Sequence, residues 1–401
     1  MRRAFFFVTV AVLTLAGAAA YAGDWPIFRG PNGDGISTET GINKDWNSKP
    51  PKMLWQTDMH DNGYAGAAVA SGKVFIIAHR SDSDVVRAIN LATGKLVWQY
   101  AYKDASKDAF GFARSTPSIA NGRVYTLSRL GTVNCLDAKS GKKIWSRNIC
   151  TDFKGKKPVW DYSMSPLVDG NKVILVPGGL DACVVALDKT TGRTIWQGGG
   201  SDEPGYCTPQ KVTINGKPQY LIFAANSLMG VDPNTGKELW SFEWKTNAGI
   251  NAAAPITMGN TIFISSGYGQ GCALVEVTDA GAKAVWQNKE MVAHFSSPIL
   301  MDGAIYGNSD PGNLVCLDPK TGVVKWKKEG FEKGPLLGID GVMLAFDGKG
   351  GDLIMAELSP DAYKEICRFT PLGGQSWTAP IVSDGKLIVR NKTALACFSL
   401  K

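Results

Sequence analysis

The chain contains few of the side chains that acid–base or metal chemistry requires. Its three histidines, His60, His79 and His294, are scattered along 401 residues. A histidine-based zinc site needs ligands at short, regular spacings, and a catalytic triad needs a histidine matched to a nucleophile on a characteristic turn. Neither pattern occurs, and the glycine-rich signatures of nucleotide binding are also missing from the sequence. The sequence therefore predicts no catalytic residues of these types.

Three short segments are the remaining candidates for a cation site. Residues 58–63 read Asp-Met-His-Asp-Asn-Gly, residues 32–35 read Asn-Gly-Asp-Gly, and residues 347–352 read Asp-Gly-Lys-Gly-Gly-Asp. An EF-hand loop ends with a glutamate at a fixed offset, which none of the three segments has. We interpret them as solvated turns and predict no metal site.

The eight cysteines do not have the spacing of a redox or haem site. No two are adjacent, and Cys-x-x-Cys-His does not occur, which excludes covalent haem attachment. Cys135, Cys316 and Cys397 recur in similar sequence contexts where other segments have alanine or glycine. We therefore interpret them as small core residues.

Residues 1–22 have the pattern of a secretory signal. Two arginines precede an apolar run, and the segment ends in Ala20-Tyr21-Ala22. We predict cleavage near Ala22 and a mature chain in the periplasm or outside the cell; an uncleaved amino-terminal anchor is the alternative. No cysteine follows the run, which argues against a lipid-anchored amino terminus, and no later stretch is long enough for a membrane-spanning helix.

The charge of the chain is mildly positive, with a formal net charge of +7. The basic clusters at 154–157 and 325–328 are short and far apart in the sequence. We interpret them as solvated surface and predict no nucleic-acid partner.

A repeat organises most of the chain. Six segments combine a turn, usually Asp-x-x-Thr-Gly, with a short strand that ends in tryptophan, and these tryptophans lie 40 to 51 residues apart. Counting onward by the same interval reaches Ile366 in a degenerate copy, and counting back reaches Trp55. Upstream of each turn, a second strand pair begins near residues 67, 117, 166, 209, 255, 298, 336 and 380. A period of about 40–50 residues with four strands per repeat is typical of a propeller blade.

Counting the strands predicts an all-β, eight-bladed β-propeller whose ring is closed by an amino-terminal outer strand. The last repeat ends at Lys401 before its outermost strand, whereas a spare strand at 52–57 precedes the first repeat. Pairing that spare strand with the strand near 393–398 closes the ring and removes an exposed sheet edge. We therefore expect a signal at 1–22, an extension at 23–51 and the propeller at 52–401.

The motif Ala-x-Asp-x-x-Thr-Gly-x-x-x-Trp, seen at 186–196, resembles the repeat of the pyrroloquinoline-quinone (PQQ) type β-propeller family. The resemblance covers about 52–401 and extends to the opening Asp-Trp-Pro-Ile-Phe-Arg-Gly-Pro at 24–31, which is similar to the start of many exported bacterial proteins. In that family the repeated tryptophan docks between neighbouring blades. The resemblance implies this structural role for Trp55, Trp98, Trp145, Trp196, Trp240, Trp286 and Trp326.

The loops predict where a ligand would bind. On one face the strands join through tight turns such as 71–72, 121–122 and 384–385, and the long connections lie on the opposite face, where binding residues are most often found. Three positions before each inner strand, the repeats place a ring of residues: Tyr64, Arg114, Ser163, Tyr206, Ala252, Phe295, Lys333 and Trp377. We predict that Tyr64, Arg114, Tyr206, Phe295, Lys333 and Trp377 form an aromatic, cationic funnel for a ligand. The alternative is that the aromatic rings cap the core beneath the loops.

Two functions are consistent with these residues. The first is a non-catalytic, monomeric, exported scaffold without cofactors, similar in build to BamB of the outer-membrane assembly machinery, that binds an envelope protein or peptide through its long loops. The second is a quinoprotein dehydrogenase, in which the same ring holds pyrroloquinoline quinone and calcium. Those enzymes typically carry long insertions and often a disulfide between adjacent cysteines, and this chain has room for neither.

Overall fold

The computed structural model describes residues 23–107 and 110–401, so the predicted signal at 1–22 lies outside the described residues. Eight sheets follow one another along this part of the chain, and each is built on four antiparallel strands. Helical structure within it is limited to α1 (Ile149–Asp152) and one 3-10 turn (Asn247–Gly249). The predicted all-β, eight-bladed propeller is confirmed. None of the described helices is long and apolar enough to cross a membrane.

The strands are short, as expected for blades. In chain order they are β1 (Ile36–Ser37), β2 (Lys52–Asp58), β3 (Ala68–Ala70), β4 (Lys73–Arg80), β5 (Ser83–Asn90), β6 (Leu96–Lys103), β7 (Ser118–Ala120), β8 (Arg123–Leu127), β9 (Thr132–Asp137), β10 (Lys143–Asn148), β11 (Leu167–Asp169), β12 (Lys172–Leu175), β13 (Val184–Asp188), β14 (Thr194–Gly198), β15 (Gln210–Ile214), β16 (Lys217–Phe223), β17 (Ser227–Val231), β18 (Glu238–Glu243), β19 (Ile256–Met258), β20 (Thr261–Ser266), β21 (Gly271–Thr278), β22 (Gly281–Asn288), β23 (Ile299–Met301), β24 (Ala304–Ser309), β25 (Asn313–Leu317), β26 (Val324–Glu329), β27 (Leu336–Ile339), β28 (Val342–Phe346), β29 (Leu353–Glu357), β30 (Glu365–Phe369), β31 (Ile381–Ser383), β32 (Lys386–Arg390) and β33 (Ala394–Ser399).

Blades 1 to 7 each use four consecutive strands, beginning with β3–β6 and ending with β27–β30. The first strand of each blade lines the central channel of the ring. It joins the second strand through a two-residue turn, and in six of the eight blades both turn residues have positive φ, as at Ser71-Gly72 and Asn121-Gly122. Such turns match the twist of a hairpin. We call the side of the ring that carries these turns the tight-turn face, and the opposite side the loop face.

The Asp-x-x-Thr-Gly turn joins the third strand to the fourth. In blade 3, Asp188 Oδ1 accepts the backbone N–H groups of Thr190 (2.9 Å) and Thr191 (2.8 Å), and it also accepts both hydroxyls. Hydrogen bonds led by the Thr190 hydroxyl lower the pKa of Asp188 to about 2. Gly192 completes the turn at φ +72°, a value that a side chain makes costly.

The glycine of this turn lies against the tryptophan of the preceding blade. A Cβ on Gly192 would come within 2.8 Å of the Trp145 ring, and the indole Nε1 of Trp145 donates to the carbonyl of Lys189 at 3.1 Å. The same close approach joins Trp55 to Gly94, Trp98 to Gly141, Trp196 to Gly236 and Trp286 to Gly322. Each turn thus stabilises its own hairpin and also packs against the tryptophan of the neighbouring blade.

Three positions differ from this pattern. Trp326 donates to Ser359 O at 2.8 Å in a turn that contains no glycine. Trp240 donates within its own blade, to Gln219 Oε1 at 2.6 Å, because the following segment folds as a tight hairpin whose Gly281 touches no ring. In blade 7 the residue in register with the tryptophans is Cys367, paired with Met355, and not Ile366 as the sequence count predicted. The averaged repeat length placed that residue one position too early.

Blade 8 closes the ring as predicted. β2 pairs antiparallel with β33, Trp55 stands opposite Cys397, and β31–β33 supply the inner three strands. In blade 8 no turn links the third strand to the fourth, because the two strands come from opposite ends of the chain. The segment before β2 takes the place of this turn, and Asn43 N–H donates to Leu400 O at 2.7 Å. Buried Trp46 packs edge-on against Phe369 in blade 7. The amino-terminal chain therefore supplies both an outer strand and its blade-to-blade contact.

Residues 23–46, the amino-terminal segment, also cross the central channel. Trp25 bridges to Val69 in blade 1, and β1 adds parallel to β27 in blade 7. At its two ends the segment bonds to the tight-turn face, because Asp24 accepts Ser71 N–H (3.1 Å) and Glu39 accepts Gly385 N–H (2.6 Å). The segment therefore enters and leaves on the tight-turn face, and its middle part blocks the channel.

Candidate ligand-binding cavity

A cavity of about 370 Å³ lies in the channel beneath the loop face. All eight residues of the ring predicted from the repeats line it: Tyr64, Arg114, Ser163, Tyr206, Ala252, Phe295, Lys333 and Trp377. These positions converge because each ends a long connection just before an innermost strand. The amino-terminal segment contributes the floor through Trp25, Phe28, Arg29 and Gly35. The sequence did not indicate this contribution.

One wall of the cavity is a run of aromatic side chains from three blade junctions. The Trp377 ring stacks on Tyr64, with centroids 5.2 Å apart, and lies 5.0 Å from the Phe295 ring. On the other side, Phe110 meets Trp160 edge-on at 5.1 Å. Phe110 and Trp160 lie in two of the long connections between blades, at positions that the repeat does not mark. Flat rings at these distances provide apolar surface suited to a planar group.

Two basic side chains stand among these rings. Lys333 Nζ lies 5.9 Å from the Phe295 centroid and 5.7 Å from the Trp377 centroid, which is cation–π distance. Arg114 donates to the carbonyls of Trp160 and Phe110. Burial lowers the pKa of Arg114 to about 10, so its guanidinium remains charged at neutral pH.

Arg29 holds the floor of the cavity in place. Its Nε donates to Gly33 O at 3.2 Å, and Nη2 donates to Asp34 O at 2.6 Å and to Pro298 O at 2.7 Å. Burial lowers its pKa to about 10, and its backbone has a positive φ of 66°. The side chain thus ties the amino-terminal segment to blade 6 and brings a positive charge to the bottom of the cavity.

Tyr206 has a different environment from the other aromatic residues of the ring. It is only 6% exposed, and its hydroxyl accepts Trp160 N–H at 3.1 Å and donates to Ala248 O at 3.3 Å. Burial raises its pKa to about 12. Tyr206 therefore links two loops, as the core-capping alternative expected, and it offers a ligand little surface.

His294 is the only histidine among the residues that line the cavity. Its ring packs 4.9 Å from Tyr268 and 5.1 Å from Phe295, and its Nδ1 lies 3.7 Å from Asp310 Oδ2. Burial, together with the charge of Lys333, lowers the pKa of His294, which makes the imidazole neutral at pH 7. Its place beside Phe295 in the sequence was the one signal that could have identified it.

Apart from the imidazole of His294, the described lining contains none of the side chains that most often act in acid–base catalysis or bind metal ions. Among the described residues that form the wall, none is an aspartate, a glutamate or a cysteine. The same part of the chain, searched as a whole, contains no group of three or more His, Cys, Asp or Glu side chains placed to bind a metal ion. This set of side chains is suited to binding by ring stacking and by positive charge.

A closed ring of eight four-stranded blades, joined by repeated tryptophans and Asp-x-x-Thr-Gly turns, defines a PQQ-repeat β-propeller. The family model described as outer membrane protein assembly factor BamB matches residues 81–328, and the chain belongs to this family.

Curated relatives of two kinds are similar to the chain. A quinoprotein ethanol dehydrogenase of Pseudomonas aeruginosa is 26% identical over 315 residues, which is 68% of this chain but 49% of the enzyme. The outer membrane protein assembly factor BamB of Yersinia pestis is 23% identical over 309 residues, covering 73% of this chain and 75% of that protein. The chain thus spans about half of the enzyme and three quarters of BamB.

Solved structures show the same fold in both kinds of protein. BamB from Moraxella catarrhalis superposes with a TM-score of 0.65 at 17% identity, covering 88% of this chain and 98% of that one. A quinohemoprotein alcohol dehydrogenase from Comamonas testosteroni gives the same TM-score and identity, covering 96% of this chain and 81% of the enzyme. At this identity the likeness concerns the fold alone.

Proposed function

We propose that this protein is a non-catalytic, exported scaffold that holds an envelope protein or peptide through its loop face, with the aromatic, cationic cavity as the anchor. The observation that carries the proposal is the composition of the cavity wall. Aromatic rings and basic groups meet there, whereas its described residues include no carboxylate or thiol. Buried aromatic and arginine side chains are the residues that most often dominate binding at protein interfaces.

The quinoprotein relatives suggest the alternative of a quinone-dependent oxidoreductase. Calcium binds through carboxylate and carbonyl oxygens, and the described residues of the cavity wall provide no carboxylate for it. The donor set therefore does not fit the calcium ion that the alternative requires.

Replacing Phe295 and Trp377 by alanine should weaken binding of the partner by at least tenfold and leave the ring folded. Both rings face the cavity, and truncation of such anchors typically costs about 1–4 kcal/mol of binding free energy each. Site-specific cross-linking from the loop face in the native envelope first identifies the partner. The affinity of each variant for this purified partner is then measured.

Two controls separate binding from folding. Leu239→Ala removes an exposed apolar side chain of an outer strand and should change neither property. Trp145→Ala should instead lower the free energy of unfolding by about 3–5 kcal/mol, because it empties a blade interface. If the Phe295 and Trp377 variants unfold as readily as Trp145→Ala, the rings belong to the core. Dye-coupled oxidation of alcohols after addition of pyrroloquinoline quinone and calcium would support the enzyme instead.

We also propose export with cleavage near Ala22. The expectation rests on the arginine pair, the apolar run and the small residues of 1–22. Amino-terminal sequencing of the protein from its native envelope should begin at Gly23. Recovery of intact Met1 from the membrane fraction would identify the segment as an anchor.

A further inference from the structure

One half of the ring exposes apolar side chains along its outer edge. In each blade a short stretch leads from the tight-turn face into the outermost strand and ends at the residue before the blade tryptophan, or before its equivalent in blade 7. The described stretches of blades 4 to 7 expose three large apolar side chains, Leu239, Val285 and Val323. In blades 8, 1, 2 and 3, six such side chains are 41–48% exposed: Met53, Leu54, Leu96, Val97, Ile144 and Ile195.

The stretches of blades 8, 1, 2 and 3 lie side by side. Trp55 Nε1 in blade 8 donates to Leu91 O in blade 1 at 2.8 Å. In the same way, Trp98 Nε1 in blade 1 donates to Ala138 O in blade 2 at 3.1 Å, and the Trp145 contact described above joins blade 2 to blade 3. Because each outermost strand packs against the turn of the next blade, the six exposed apolar side chains belong to one continuous arc.

Charge is divided between the two halves in the same way. The stretches of blades 8, 1, 2 and 3 contain seven basic and two acidic residues, whereas those of blades 4 to 7 contain five basic and seven acidic residues. The first group, which we call the basic rim, consists of residues 52–54, 90–97, 137–144 and 188–195. The second group consists of residues 232–239, 278–285, 318–325 and 357–366.

The two acidic residues of the basic rim do not pair with its exposed basic side chains. Asp137 and Asp188 accept backbone N–H groups of their own turns, although the charge of Lys139 also acts on Asp137. The ion pairs of the described residues include none of the rim's six exposed basic residues, Lys52, Lys95, Lys139, Lys142, Lys143 and Arg193.

In the second group, most of the basic side chains are held in ion pairs. Three of its five are paired: Lys283 with Glu276 (3.5 Å), Lys325 with Asp318 (3.6 Å) and Lys364 with Glu357 (2.5 Å). The basic rim therefore presents an excess of positive charge to the solvent, and the opposite half of the ring does not.

An anionic lipid surface matches this combination of side chains. The side chains stand singly along the convex edge of the ring, so a folded protein would need a long concave surface to contact them together. Lipid headgroups are mobile and adapt to such an edge. Lysine and arginine attract anionic headgroups, and aliphatic side chains between them enter the boundary between headgroups and acyl chains. The combination is typical of a surface that lies on a membrane without crossing it.

We infer that the basic rim rests on the surface of a bilayer that contains anionic phospholipid. Its lysines contact the headgroup phosphates, and its exposed aliphatic side chains enter the headgroup region. The inference goes beyond the proposed function, because it concerns a different surface of the ring. The rim lies at the tight-turn end of the outermost strands, so this contact leaves the loop face and its cavity open to a partner.

Sedimentation with sucrose-loaded vesicles tests the inference on the chain from Gly23 to Lys401. Vesicles of phosphatidylcholine alone are compared with vesicles of equal parts phosphatidylcholine and phosphatidylglycerol. We expect the anionic vesicles to bind the chain at least about tenfold more tightly, because each basic side chain near an anionic surface contributes about fivefold. High salt should remove most of this difference, since it screens exposed charges.

Two triple variants with the same change in formal charge locate the contact. The first neutralises three lysines of the basic rim and should weaken binding to the anionic vesicles at least about tenfold. The second neutralises three lysines of blades 5 and 6, opposite blades 1 and 2, and should weaken binding less than about threefold, because salt screens charges that far from the lipid. The substitutions are Lys95→Gln, Lys142→Gln and Lys143→Gln in the first, and Lys283→Gln, Lys320→Gln and Lys325→Gln in the second.

Serine substitutions test the apolar contribution. Val97→Ser combined with Ile144→Ser should weaken binding to the anionic vesicles at least about threefold, because less apolar surface is buried in the lipid. Leu239→Ser combined with Val285→Ser should leave the binding unchanged. All four side chains are exposed, so the thermal unfolding of each variant should stay close to that of the parent chain.

Three results would overturn the inference. They are the absence of binding to anionic vesicles at low salt, equal losses for the two triple variants, and binding to polyglutamate in place of the vesicles. The last result would identify an acidic protein as the occupant of the rim. Cross-linking of the partner from the loop face depends on none of these results, so the proposed function is tested separately.

Discussion

Deletion of residues 23–58 is expected to produce a chain that aggregates and no longer unfolds cooperatively. The deletion removes β2, the outermost strand of blade 8, and leaves β33 with an unpaired edge along its whole length. It also removes Trp55 from its place against Gly94 in blade 1, a contact whose loss alone costs about 3–5 kcal/mol. In a closed ring, each interface depends on its neighbours.

Light scattering and urea unfolding followed by tryptophan fluorescence measure this effect. The matched control replaces only residues 23–37 by a flexible Gly/Ser segment, which retains β2 and removes the part of the chain that crosses the channel. We expect that variant to remain soluble and cooperative. A soluble, cooperatively folded 59–401 chain would show that the ring does not need its closing strand.

Replacing Arg390 by methionine should lower the free energy of unfolding by about 3–5 kcal/mol, because it leaves a buried carboxylate without its partner. Arg390 is almost fully buried, and its Nη2 donates to Asp61 Oδ1 at 2.7 Å. Its Nη1 donates to Ala65 O at 3.1 Å and to Ile77 O at 3.3 Å. The side chain thus joins blade 8 to blade 1 at the point of ring closure.

The loss of unfolding free energy in the Arg390→Met variant should depend on pH. Burial raises the pKa of Asp61 even beside Arg390, and removing the arginine takes away the main interaction that opposes this rise. The folded variant then binds a proton more readily than the unfolded chain, so the destabilisation is largest above the raised pKa and shrinks as the pH falls through it. Urea unfolding at several pH values between neutral and acidic measures this trend.

Two further variants test the cause. Arg390→Met combined with Asp61→Asn should recover part of the lost stability, because it replaces the buried charge by a neutral amide. Arg368→Met breaks an exposed pair with Glu365 and should cost at most about 1 kcal/mol. An equal loss for the buried and the exposed pair would refute the argument from burial.

The sequence predicted the architecture well because each blade is specified locally. The Asp-x-x-Thr-Gly turns and the tryptophans recur at short range, and the strand missing from the last repeat is matched by the spare strand before the first. The same local pattern predicted which residues line the cavity, because each position of the ring lies at a fixed distance in sequence from an inner strand. What the repeat encodes once per blade could therefore be predicted.

Features outside the repeat could not be predicted in this way. Asp61 belongs to a segment that we interpreted as a solvated turn, but this carboxylate is buried against Arg390. The burial could not be predicted, because Arg390 lies 329 residues further along the chain. Arg29 and Trp25 have no periodic counterparts, so nothing placed them in the channel. Gly281 shares its spacing with the other turns but begins a strand directly after a turn of only two residues, which changes where Trp240 donates.

The meeting of the two chain ends in blade 8 also sets an order of events in folding. A chain synthesised or delivered amino end first presents residues 23–58 long before β33 exists to pair with them. Blades 1 to 7 contain all of their own strands and can stack in sequence, whereas the first segment to emerge is the last to find its place. During that interval Trp46, which packs against blade 7, and Trp55, whose strand pairs with β33, remain uncovered, so aggregation and proteolysis should act most strongly within residues 23–58.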